Sequence, residues 1–122
     1  MFEKTAPLMN VFFNEEELLK RLMNNRDLIN TLLNVFIEDM PEILSTLILA
    51  TEENNAEKIV EEAHKLKGSA YNLTVNNIGD LAKEIEACGK EYNLGHVNTL
   101  LPILEKQLEL TIDHFKAILA HD

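Results

Sequence analysis

The chain has 122 residues, 11 basic against 21 acidic side chains for a net charge of −10, apolar types at 46% and one cysteine. That is the length of a single domain with enough apolar residues for a core, which excludes disordered and collagen-like classes, while the surplus of carboxylates disfavours nucleic acid and favours a protein partner or a small cation. Cys88 alone can form neither an intrachain disulfide nor a cysteine zinc cluster, no apolar run approaches the roughly 18 to 20 residues that span a bilayer, and MFEKTAPLMN lacks the apolar stretch of a secretion signal, so a cytoplasmic protein is expected.

Gly occurs only at 68, 79, 89 and 95 and Pro only at 7, 41 and 102, and the apolar residues recur three and four apart. This pattern predicts an all-α chain. Residues 1–13 form an irregular arm and 14–122 the folded domain. Asn14 can cap a short helix EEELLKRLM, whose carboxylates sit at its positive end. Asn25 can cap the next, which carries Leu28, Leu32, Val35, Phe36 and Asp39 as far as Pro41; that proline either starts a new helix or kinks a continuous one. The stripe Ile43, Leu44, Leu47, Ile48 continues to a polar break at residues 52–55. A helix from about Ala56 to Tyr71 follows, then the loop Asn72, Leu73, Thr74, with Thr74 a candidate cap for a helix from Val75 to about Tyr92. The last helix carries Leu101, Leu104, Leu108, Ile112, Phe115 and Leu119. Pro102 lies in its first turn if Asn98 is the cap, and kinks it if it begins near Gly95. Short loops make neighbouring helices antiparallel, so the expected fold is an antiparallel four-helix bundle with a short additional N-terminal helix laid over one end.

On a helical wheel of residues 56–73, Ile59, Ala63, Leu66, Ala70 and Leu73 share a face about 80° wide, which is the core side. His64 falls about 140° from its centre, Gly68 about 180°, Tyr71 about 120° and Lys67 about 80°. An exposed histidine by itself is commonplace. A helical Gly one turn away is not, because it costs about 1 kcal/mol relative to Ala and no core packing explains it on the solvent side. Something approaches closely there. Lys67 adds a cation among Glu61 and Glu62, and an exposed imidazole, bare backbone and an ammonium together suit a phosphoryl group delivered by another protein. In the next helix the core face is Ile78, Leu81, Ala82, Ile85 and Cys88, leaving Gly79, Lys83, Glu86 and Lys90 along one flank. Gly79 reads as a second solvent-side glycine. In an antiparallel pair turning near Leu73, Glu86 and Lys83 come level with His64. A carboxylate accepting the Nδ1 hydrogen would leave Nε2 unprotonated and outward. Without that neighbour the flank is a solvated row of helical ion pairs. The docking surface so assembled comprises Val60, His64, Lys67, Gly68, Tyr71, Gly79 and Lys83.

The run AHKLKGSAYNL, residues 63–73, followed by a helix ending LAKEIEACGK, resembles the motif of histidine-containing phosphotransfer (HPt) domains of multistep two-component relays. More loosely the resemblance covers VFIEDMPEIL, residues 35–44, and the closing helix. It implies a four-helix bundle whose His64 takes a phosphoryl group from a receiver-domain aspartate and passes it to another receiver. Lys67 and Gly68 match the pair beside the phosphorylated histidine, Ser69 and Asn72 match positions shaping the motif and its turn, Glu86 stands where a Gln or Glu bonds the imidazole, and Lys90 where a second cation can occur. Thr74 departs from the Gly usual after the Asn-apolar pair. The implied partners are response-regulator receivers and a sensor or hybrid histidine kinase. Mg²⁺ is expected on the receiver, and no cofactor or metal on this chain, which is expected to be a monomer.

No phosphate-binding glycine loop or kinase signature is present, so the chain is expected to be a relay substrate and not an ATP-dependent enzyme. Two rivals belong to other classes. A di-metal bundle needs two Glu-x-x-His pairs; Glu61 with His64 is one, but Asn93, Thr111 and Ile118 precede the other histidines at that offset. The alternative function is an acidic helical adaptor without phosphotransfer chemistry. His114 and His121 read as exposed residues near the end of the last helix, and Cys88 as core.

Overall fold

Three helices start on an asparagine whose side chain accepts an otherwise orphaned backbone N–H: Asn14 from Glu17 at 2.9 Å, Asn25 from Leu28 at 3.0 Å and Asn55 from Lys58 at 3.1 Å. In the computed structural model, which describes residues 13–121, these lead α1 (Glu15–Arg21), α2 (Arg26–Glu52) and α3 (Ala56–Asn72), followed by α4 (Asn76–Lys90) and α5 (Leu94–Ala120). The expected arm over residues 1–13 lies outside the described residues but for Phe13. Each long helix packs against the next and α5 returns to α2, which gives the antiparallel four-helix bundle expected; α3 and α4 make the most intimate pair. Leu18 of α1 is buried, as the short helix covers one end.

The turns after α2, α3 and α4 share one geometry. In each, the third loop residue donates back across the helix end, Asn55 to the Ala50 carbonyl, Val75 to Ala70 and Asn93 to Cys88, at 2.8 to 2.9 Å. The residue before it sits at positive φ: Asn54 at 55°, Thr74 at 61° and Tyr92 at 60°. This is the Schellman closure, normally made with Gly. Thr74 is thus not the cap of α4 as the sequence suggested. Val75 holds that position with no side-chain cap bond, because the left-handed residue closing α3 has to be Thr74. Its strain, about 1 to 2 kcal/mol for an L residue, is offset by its hydroxyl, which accepts from the Asn14 N–H at 3.1 Å and donates to the Asn14 carbonyl at 3.0 Å. Arg21 of α1 adds bonds to the carbonyls of Tyr71 and Asn72 at 3.4 and 3.3 Å. The N-terminal helix therefore clamps the turn that ends α3.

Both prolines lie inside continuous helices, Pro41 in α2 and Pro102 in α5. Pro102 is not in a first turn, since α5 begins at Leu94; Asn98 instead donates its side-chain amide to the Leu94 carbonyl at 3.3 Å. Each proline removes a helical hydrogen bond at a cost of about 3 kcal/mol, and burial on both sides of it, Phe36 and Leu47 in α2, Val97 and Leu108 in α5, keeps the axis going. The two prolines line one cleft of about 400 Å³ between α2 and α5. The apolar face of α2 is set by Ile29, Leu33, Phe36 and Met40, whereas Leu28 and Val35 are exposed and Leu32 half-buried. In α4 the expected core residues are buried apart from half-buried Leu81.

Candidate functional site

The site lies on the outer surface of the α3–α4 pair. Ile59, Ala63, Leu66 and Ala70 are 0% exposed and fix the rotation of α3, which turns His64 outward with its side chain 68% exposed. Glu86 of α4 is placed beneath it. This carboxylate is not on a solvated flank, as its spacing suggested, but 6% exposed, because α3 crosses α4 closely enough to cover it. Glu86 Oε2 stands 3.0 Å from His64 Nδ1 and Oε1 2.7 Å from Lys67 Nζ, with Lys90 Nζ 3.7 Å away. Lys67, by its side-chain hydrogen bond, holds the carboxyl below its ordinary value of 4.5 against the opposing effect of burial, with His64 and Lys90 assisting. An ionised carboxylate only accepts. Nδ1 therefore carries the hydrogen, and the lone pair of the neutral ring is on Nε2, which faces outward and has no hydrogen-bond partner among the described residues.

Since folding depresses this pKa, the contribution of Glu86 to stability is complete above the unfolded value near 4.5 and fades as pH falls from there through the lower folded value. The melting temperature of the wild type is expected to drop more steeply between about pH 5 and 3 than that of Glu86→Gln, which keeps the size and loses the titration. Parallel melting curves across that range would remove the ionised Glu86 from the account.

Gly68 is exposed, and a Cβ built on it meets nothing within 4 Å. The bare patch beside His64 is open, as expected. Gly79 corrects the expectation for it: it is buried, and a Cβ there would lie 2.6 Å from Cδ1 and 2.8 Å from Cζ of Tyr71, with Cε1 nearer still. The Tyr71 ring occupies the space that a side chain at 79 would need. Its hydroxyl donates to Asp80 Oδ1 at 2.5 Å, a bond that, with burial, pushes the phenol up to about 12. Asp80 carried no sequence signal, since its partner is nine residues away across a turn. Val60 is half-buried, its Cγ2 against Gly89. Lys83 is exposed and makes no hydrogen bond or ion pair among the described residues, so it does not join Glu86 under the imidazole. Ser69 accepts the Leu73 N–H at the end of α3.

Glu62 also escaped the sequence: 3% exposed on α3, it takes Lys65 at 3.1 Å and Lys58 at 3.6 Å. Cys88 is buried and His114 and His121 are exposed, as expected, and burial pushes the Cys88 thiol up. Among the described residues no group of three or more His, Cys, Asp or Glu is placed to hold a metal ion, and no helix is long and apolar enough to cross a membrane.

The helical bundle that carries this outward imidazole is the fold of histidine phosphotransfer domains. The family model of the Hpt domain matches residues 31–118, and the chain belongs to that family. It is therefore a phosphorelay intermediate, a phosphotransfer carrier and not a kinase, and interaction with receiver domains and histidine kinases follows from membership. In fold it is similar to histidine-containing phosphotransfer protein B (HptB) from Pseudomonas aeruginosa PAO1, at a TM-score of 0.85 and 22% identity over 91% of this chain and 96% of that one. It is similar too to the HPT domain of the Hpt sensor hybrid histidine kinase from Shewanella, at a TM-score of 0.81 and 20% identity over 91% and 96%. No curated protein matches the sequence.

Proposed function

We propose that His64 is the residue that carries the phosphoryl group. Its Nε2 lone pair attacks the phosphorus of a receiver-domain aspartyl phosphate; the N–P bond forms as the acyl phosphate P–O bond breaks, and the electron pair leaves with the aspartate carboxylate. In the neutral ring with its hydrogen on Nδ1, Nε2 holds no proton, so none has to depart. Glu86 keeps Nδ1–H oriented and offsets the positive charge that grows on the ring. The reverse step delivers the group to a second receiver. The observation that carries this assignment is the 3.0 Å contact between Nδ1 and a buried, ionised carboxylate, which leaves the opposite nitrogen free in solvent.

Lys67 keeps Glu86 ionised and lies one turn from His64, within reach of the phosphoryl oxygens once a partner is docked. The receiver supplies Mg²⁺ and the phosphoryl donor; this chain contributes a nucleophile, a cation and an open surface, works without ATP or a metal of its own, and acts as a monomer in the cytoplasm. A phosphorylated receiver mixed with the chain should transfer acid-labile, base-stable label to it. Absence of label with every receiver tried, including those encoded nearby, would overturn the relay assignment in favour of a binding adaptor. Lys67→Ala should slow the transfer roughly ten- to a hundredfold, the equivalent of one charge-assisted contact of about 1.5 to 3 kcal/mol made in the transition state. An unchanged rate would confine Lys67 to its bond with Glu86.

A further inference from the structure

Val60, His64, Gly68 and Tyr71 fall on one stripe of α3, within about 40° of His64 at 100° per residue. Tyr71 stands about 10 Å along the axis from His64 at 1.5 Å per residue. A partner that buries about 800 Å² covers a disc of about 16 Å radius. Any protein centred on His64 therefore covers Tyr71, and the bare backbone of Gly68 between the two lets it come close. The ring is also held in a way unusual for a half-buried surface tyrosine. Its hydroxyl is fixed to Asp80, and its edge fills the place of the missing side chain at Gly79. Gly is unfavourable inside a helix, and nothing else lies against that position as closely as this ring. The helix thus carries a residue whose use is to seat Tyr71. An aromatic group whose rotamer is already set loses little entropy on binding, and buried tyrosines are over-represented among the residues that dominate interfaces.

We infer that Tyr71 is an aromatic anchor gripped by the receiver domain, that Gly79 and Asp80 act through it as positioning residues, and that this unit sets which receivers the chain accepts. The partner it fits is a receiver that presents an apolar surface about 10 Å from its phosphoaspartate. The inference rests on the relay assignment, so its test begins from a receiver that labels the wild-type chain.

With that receiver, transfer kinetics are measured as KM and kcat separately. Tyr71→Ala should raise KM about tenfold or more, the loss expected of an interface anchor, while kcat changes less than about threefold because the nucleophile and its carboxylate are untouched. Tyr71→Phe, which folds with the ring in place, should raise KM by a smaller factor, and Asp80→Asn, which retains an acceptor, should be milder than Asp80→Ala. The decisive comparison is a double-mutant cycle. Gly79→Ala should raise KM by displacing the ring, and adding it to Tyr71→Ala should change nothing further. A KM for Tyr71→Ala within twofold of wild type, or effects of Gly79→Ala and Tyr71→Ala that simply multiply, overturns the anchor and leaves the relay standing. A wild type that no phosphorylated receiver labels overturns both together.

Discussion

His64→Gln is expected to abolish phosphoryl acceptance while the domain folds as before. Both halves of that outcome come from exposure and contacts. The imidazole is 68% exposed and its single hydrogen bond among the described residues is to Glu86, so its removal takes away little packing. The Gln side-chain amide can donate to the same carboxylate. Surface changes of this kind shift stability by about 0.5 kcal/mol at most, or about 2 °C in a domain of this size. The chemistry has no substitute, because an amide nitrogen offers no free lone pair. Other described histidines are elsewhere: His96 of α5 is tied through Nε2 to Glu84 at 2.9 Å, and His114 and His121 lie at the far end of α5. Radiolabel from a phosphorylated receiver, followed with circular dichroism on the same samples, checks both halves. Label kept by the variant would remove His64 from its role.

Gly68 should give effects of opposite sign on stability and on transfer. Open space surrounds the position a Cβ would take, so Gly68→Ala gains helix propensity of about 1 kcal/mol without a clash. That corresponds to a rise of about 4 °C in Tm. A receiver docking over the same turn meets the added atoms. Displacement of reacting groups by about 1 Å can cost a hundredfold in rate, so transfer should fall modestly in Gly68→Ala and about a hundredfold in Gly68→Gln. Thermal melts and single-turnover transfer on the two variants decide it. A drop in Tm for Gly68→Ala would mean that the helix needs glycine for its backbone, and a wild-type rate in Gly68→Gln would move the docking surface off this turn.

Gly79 shows why two glycines that look alike on a wheel differ in the fold. Both sit away from the main apolar stripe of their helices. Only the approach of α3 to α4, which brings the Tyr71 ring over residue 79, separates the open one from the filled one. Glu86 shows the same limit with greater consequence. Its spacing puts it on a polar flank, and its family position implies a bond to the imidazole, yet neither reveals that the carboxylate is nearly sealed from water and shared with Lys67. Asp80 and the Thr74 bonds to Asn14 depend on residues brought together from separate helices.

Periodicity and cap residues in the sequence determined the all-helical class, the four long helices, the asparagine caps at 14 and 25 and the outward direction of His64, because each depends on residues within a turn or two of one another. The motif around residues 63–73 determined the family. Only the tertiary structure decided that α2 and α5 run unbroken through Pro41 and Pro102, that Thr74 closes α3 instead of capping α4, and that Glu86 and Gly79 are buried. In each of these the local preference was outweighed, or left undetermined, by contacts between helices, since burial across a bundle can exceed the few kcal/mol that a proline, a left-handed threonine or a covered carboxylate costs.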